Sequence, residues 1–195
     1  AGSLGINTLQ GLVLSVGAIR ALKGEEQIRE FDPVAEQHFA ISAASIARQV
    51  CPSGRHAEHG YLAALMHSIG KHVLSLRQPE TYARVLRESG QSDPTLAQTE
   101  QRLMGFTHAQ VGAYLLALWG LPEEVVEAVA HHLNPGETHP AEFDALATCH
   151  VAVNLTHLQQ GQDPQIVESL LDLEHLEHVG AGAKLAGWLN LARTA

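Results

Sequence analysis

Apolar residues along this chain recur every three or four positions. Val111, Leu115, Leu116, Leu118 and Trp119 follow one such pattern, and Val125, Val126 and Val129 follow the next. That period keeps apolar side chains on one face of an α-helix, whereas a half-buried strand would alternate with period two. No convincing run of alternating β-branched residues appears. Punctuation agrees: Asp32-Pro33, Asp93-Pro94 and Asp163-Pro164 each set a capping side chain before a proline at the first helical position, and Leu121-Pro122 and His139-Pro140 are expected to open helices too. The expected class is all-α, a bundle of about nine or ten helices. The pattern places them at about 8–22, 33–50, 58–76, 79–88, 94–103, 107–119, 122–133, 140–159, 164–175 and 182–192. No linker rich in Gly, Ser or Pro divides the chain, so residues 1–195 read as one domain, with 1–30 as a leading helical segment and 31–195 as the core.

Composition narrows the functional classes. At 195 residues with 45% hydrophobic and 17% charged side chains, the chain can build a real core. Its formal net charge of −9 argues against a broad phosphate-binding surface, so no nucleic-acid polymer is expected as partner. Cys51 and Cys149 show no CxxC spacing and read as reduced thiols of a cytoplasmic protein. No apolar run approaches the roughly 20 residues of a membrane span, and no membrane role is expected.

The thirteen histidines change the picture most. His38, His67, His108, His131 and His132 fall on four different predicted helices, and a helical bundle builds metal centres from side chains on facing helices. Against this stands the plainer reading that a single helical histidine is a surface or satisfied core residue. His56, His59, His72, His139, His150, His157, His175 and His178 are expected on solvated faces or loops. A two-metal hydrolytic centre also needs bridging carboxylates to hold its cations and activate water. Ser68 follows His67, and Asn154 stands in the late helix where another acid would serve. Imidazoles alone could hold one Zn²⁺, Fe²⁺ or Ni²⁺, but would hold Mg²⁺ or Ca²⁺ poorly. No cofactor is therefore expected, with one divalent transition metal as the alternative.

Longer motifs carry a family resemblance. The run Gly60-Tyr61-Leu62-Ala63-Ala64-Leu65-Met66-His67-Ser68-Ile69-Gly70-Lys71 is similar to a "GLLHDIGK" helix. Glu100, then Gly105-Phe106-Thr107-His108 through Val111-Gly112-Ala113, then Trp119-Gly120-Leu121-Pro122, resembles an "E…G…H…VGA.LL..W.LP" signature. Ala128-Val129-Ala130-His131-His132 resembles "AI..HH", and His150-Val151-Ala152-Val153-Asn154 resembles "VHLAD". Together these resemble the HDOD domain, the HD-related output domain of bacterial signalling proteins, within the HD superfamily of metal-dependent phosphohydrolases. The resemblance covers nearly the whole chain and implies an HD-like helical bundle. It also implies a family domain with more N-terminal helices than this chain offers, so Ala1 is expected to fall inside the domain.

The same resemblance implies that Ser68 and Asn154 replace metal-bridging aspartates. His38, His67, His108, His131 and His132 would be ligands only if a metal is retained. Lys71 would contact substrate phosphate in an active relative; here it would replace missing metal charge or pair with Glu100. Gly70 and Gly112 are expected to let helices approach closely, Trp119 to be core, and Glu100 to accept hydrogen bonds from a helix start. The resulting expectation is a non-catalytic signal-transduction output module. Its partners would be a sensory or receiver domain and a downstream signalling protein. The alternatives are a phosphohydrolase acting on a nucleotide or cyclic dinucleotide, and a sensor binding a nucleotide or small anion.

Overall fold

The computed structural model describes residues 28–51, 53–89, 93–138 and 140–194, so the helix expected at 8–22 lies outside the described residues. All regular structure among them is helical. The α-helices are α1 (Pro33–Val50), α2 (Arg55–Met66), α3 (Ile69–Arg77), α4 (Pro79–Glu88), α5 (Asp93–Met104), α6 (His108–Leu118), α7 (Glu123–His131), α8 (Ala145–Gln159), α9 (Pro164–Leu170), α10 (Leu173–His178) and α11 (Leu185–Thr194). Short 3₁₀ turns cover Pro135–Glu137 and Gly182–Lys184. No helix among the described residues is long and apolar enough to cross a membrane.

Local chemistry sets most boundaries. Asp32 accepts from the main-chain N–H of Val34 at 2.9 Å and Ala35 at 3.1 Å, fixing the start of α1 before its proline. Thr107 caps α6 in a capping box with Gln110. Gly105 follows α5 at φ 80°, a left-handed conformation that closes the helix and suits glycine.

Departures from the expected map have local causes as well. The helix expected at 140–159 starts at Ala145, because Asp144 accepts from Ala147 N at 2.9 Å and so becomes the cap. Pro140 therefore precedes an irregular approach and opens no helix. The helix expected at 164–175 divides into α9 and α10, since Asp172 caps the second piece through His175 N at 2.9 Å. The one expected at 58–76 divides at His67 and Ser68 into α2 and α3, with Ser68 at φ −92°, ψ 3°. The helix expected at 182–192 begins with the 3₁₀ turn.

Helix α8 forms the centre. It carries no Asp, Glu, Lys or Arg, and 13 of its 15 residues are buried, the all-round apolar character of a core helix. It packs on α1, α2 and α7, with α9 and α11 outside. A smaller cluster joins Leu74, Tyr82, Val85 and Leu96 of α3, α4 and α5. Outside it, Glu88 receives Arg84 at 2.7 Å within α4 and Arg102 at 2.8 Å from α5.

Helices α3 and α6 meet unusually closely. A Cβ on Gly70 would overlap the carbonyl of His108 and lie 2.9 Å from Gly112 N, and a Cβ on Gly112 would lie 3.3 Å from Gly70 N. Only a pair of residues without side chains permits that approach, as the sequence leads one to expect. The division at His67 and Ser68 turns the chain from α2 into α3, which packs against α6.

Candidate functional site

Three imidazoles gather at the junction of α2, α3, α6 and α7. His67 occupies the elbow between α2 and α3, His108 opens α6, and His132 follows the last turn of α7. All three are essentially inaccessible to solvent. The ring centroids of His67 and His132 are 5.5 Å apart, and those of His108 and His132 are 6.0 Å apart. Phe39 of α1 closes one side, 5.6 Å from the His67 ring.

Each ring is oriented through Nδ1. The Nδ1–H of His67 donates to Ala64 O at 2.7 Å, and that of His132 donates to Val129 O at 2.8 Å. His108 donates from Nδ1 to Glu100 Oε2 at 2.8 Å. A carbonyl or carboxylate oxygen can only accept, so Nδ1 carries a proton in each ring. This is the outer support that fixes a histidine as a metal ligand in many proteins. It equally satisfies a buried histidine that binds nothing.

The remaining members of the expected ligand set lie elsewhere. His38 is exposed on α1. His131 is partly exposed, with its Nδ1 3.7 Å from Glu137. The reason is helical geometry: adjacent residues such as His131 and His132 point about 100° apart, so one enters the junction and the other leaves it.

Carboxylates do not fill the gap. Ser68 is buried with a neutral hydroxyl. Asn154 of α8 is buried and spends its amide on the main chain, Nδ2 donating to His150 O at 2.9 Å. Among the described residues, no group of three or more His, Cys, Asp or Glu side chains is placed to hold a metal ion. The donors present do not fit a carboxylate-bridged pair of cations.

Two charged groups take partners that the sequence left open or missed. Lys71 is buried, and its Nζ lies 3.4 Å from Glu36 Oε2 of α1. Glu100, fully buried, accepts from both His108 N and His108 Nδ1 at the start of α6. Its Oε1, and His108 Nε2, have no hydrogen-bond partner among the described residues.

Four histidines expected on solvated faces or loops are buried: His59, His72, His150 and His175. His150 is the most informative. Its Nδ1–H donates to His132 O at 2.7 Å, and its Nε2 accepts from Asp172 N at 2.9 Å. The ring thus ties the end of α7 to the start of α10 across α8. Burial pushes its pKa down to about 4, with the His132 carbonyl opposing, so the ring is neutral. Burial also lowers the pKa of His59 and His72. The signal for His150 was available, because it sits mid-way along a helix without a single charged residue.

The other signature residues are structural here. Trp119 caps α6 half-buried against the main core. Pro122 precedes α7, its carbonyl accepting from Val125 N at 3.0 Å and Val126 N at 3.1 Å. Gly105 and Gly112 serve the turn and the helix contact described above.

Comparison with known proteins agrees with this architecture. The chain is similar in structure to a "Putative phosphohydrolase" from Shewanella amazonensis SB2B, with TM-score 0.69 and 18% identity, covering 97% of this chain and 69% of that one. It is similar to the MmoQ response regulator from Methylococcus capsulatus str. Bath, with TM-score 0.63 and 16% identity over 94% of this chain and 68% of that one. A "Putative signal transduction protein" from Marinobacter aquaeolei VT8 gives TM-score 0.54 and 22% identity, covering 92% and 44%. These likenesses establish a shared helical fold. In sequence, the chain is 27% identical over 179 residues to an "Uncharacterized protein" of Treponema pallidum (strain Nichols), covering 89% of this chain and spanning about a third (34%) of the length of that relative. The family model of the HDOD domain matches residues 2–135, which include the elbow, the buried Glu100–His108 pair and all three gathered imidazoles. The chain belongs to the HDOD domain family.

Proposed function

We propose that the chain is a non-catalytic signal-transduction module that keeps the HD-type bundle and relays signals through protein contacts. The observation that carries this reading is that positions 68 and 154 carry a serine and an asparagine and no acid. Ser68 offers a neutral hydroxyl beside His67, and the Asn154 amide is committed to the His150 carbonyl. A centre that activates water between two cations needs negative bridging ligands, and neither position 68 nor position 154 supplies one. The names of two structural neighbours, a response regulator and a signal transduction protein, support the signalling part. In this reading residues 1–195 act as one unit, with 31–195 as its core, in the bacterial cytoplasm. The unit is coupled to a sensory or receiver domain on one side and a downstream protein on the other, and it needs no cofactor.

A second reading, a metal-dependent phosphohydrolase acting on a nucleotide or cyclic dinucleotide, draws on the three oriented imidazoles and on the name of the Shewanella neighbour. One experiment separates the two: elemental analysis of the purified protein, with turnover assays on cyclic dinucleotides in Mn²⁺, Fe²⁺ and Ni²⁺. The signalling reading expects no turnover. Turnover abolished by His67→Ala overturns it.

A further inference from the structure

Charge is distributed very unevenly along the chain. Between Leu103 and Ala183 lie eleven of the 21 acidic residues and none of the 12 Lys and Arg. Helices α6 and α7 fall within this stretch and pack side by side across the turn at 119–122. On their outer side, Tyr114 is 69% exposed and Leu118 is 65% exposed. They are the two most exposed large apolar side chains among the described residues, and they lie one helical turn apart on the same face. Leu121, in the turn, and Val126, on α7, are half-buried against the main core. Glu123 and Glu127 are exposed one turn apart on α7, the helix packed beside α6. Neither carboxylate has a Lys or Arg partner among the described residues, unlike Glu124, which pairs with Arg55.

We propose that this α6–α7 face docks a basic amphipathic helix of a partner protein. The inference rests on the protein-contact reading above and names the surface that would serve it. An exposed Tyr with an adjacent Leu is the anchor chemistry of such contacts, and a rim of like charge selects the partner's sign. A second copy of this chain joined through the same face is disfavoured, because two-fold pairing would bring two acidic faces together with no Lys or Arg on either helix to answer them. Ile166 and Leu173 also protrude from the acidic stretch, but on separate short helices of 7 and 6 residues. They form no continuous stripe.

The test uses a fluorescent amphipathic Lys/Leu model helix and its Glu/Leu counterpart, titrated with the whole chain at low and high salt. The Lys/Leu peptide binds, more weakly as salt rises. Leu118→Ser and the double change Glu123→Lys/Glu127→Lys each weaken binding by about tenfold or more. The control reversal Glu168→Lys/Glu174→Lys changes it less than about twofold. Tyr114→Ser supplies a second anchor variant should Leu118→Ser not fold. Equal weakening by the control reversal, binding of the Glu/Leu peptide, or no binding each overturns the proposal. So does a dimer, seen by sedimentation, that Leu118→Ser dissociates. Those failures leave the absence of turnover untouched, whereas His67-dependent turnover is the separate failure of the proposed function.

Discussion

One oxygen of Glu100 holds two groups of one residue: Oε2 accepts from His108 N and from His108 Nδ1, each at 2.8 Å, in a place neither side chain shares with solvent. The carboxylate therefore caps the first turn of α6 and sets the orientation of a ring in the histidine junction with the same atom. Its position eight residues before His108 places it on α5, across the Gly105 turn.

Removing that carboxylate leaves a buried N–H and a buried ring nitrogen unpaired. Glu100→Ala is expected to cost about 3 kcal/mol of stability, and Glu100→Gln, which keeps one acceptor, distinctly less. Urea unfolding midpoints of the two variants check this. Equal losses would mean that the negative charge, which both changes remove, sets the cost and the remaining acceptor contributes nothing.

Gly70 faces backbone, which cannot rotate aside. Gly70→Ala is expected to force α3 away from α6 at a cost of about 2–3 kcal/mol. Gly112→Ala meets the Ile69 side chain at 3.2 Å and the main chain at 3.3 Å, so a smaller loss of about 1 kcal/mol is expected. Thermal melts rank the two, and the reverse order would show that the helices meet differently.

Acid should loosen the bundle through His150. Its pKa falls from the ordinary 6.5 to about 4 on folding, so between those values the unfolded chain binds a proton that the folded chain does not. Stability is then present in full above about pH 6.5 and declines as pH falls towards 4, by about 3 kcal/mol for this one group. His59 and His72 shift the same way. Unfolding midpoints measured from pH 7.5 to 4.5 should fall, and His150→Gln should flatten part of that slope while lowering stability at pH 7.5. A pH-independent midpoint would refute the assignment of a buried neutral ring.

The two cysteines are both free thiols in different surroundings. Cys149 is wholly buried in α8, and burial raises its pKa, while Cys51 is partly exposed at the end of α1. Under native conditions a thiol reagent should modify Cys51 readily and Cys149 only after unfolding. Rapid modification of two thiols in the folded protein would contradict this burial.

What the amino-acid order determined alone is everything carried by interactions within about four residues. Period and capping placed 33–50 and 79–88 where α1 and α4 lie. Side-chain identity likewise decided that positions 68 and 154 bring no carboxylate, and that Gly70 and Gly112 could bring two backbones together. What only tertiary structure decided is which of these helices face one another. Five histidines looked equally able to converge, yet three did so, because the helix rotation that buries His132 turns His131 outward. Lys71 found Glu36 on α1, and His150 bridges partners 18 and 22 residues away. Those pairings depend on how rigid helices pack around α8, a property shared among distant segments and not encoded in any one of them.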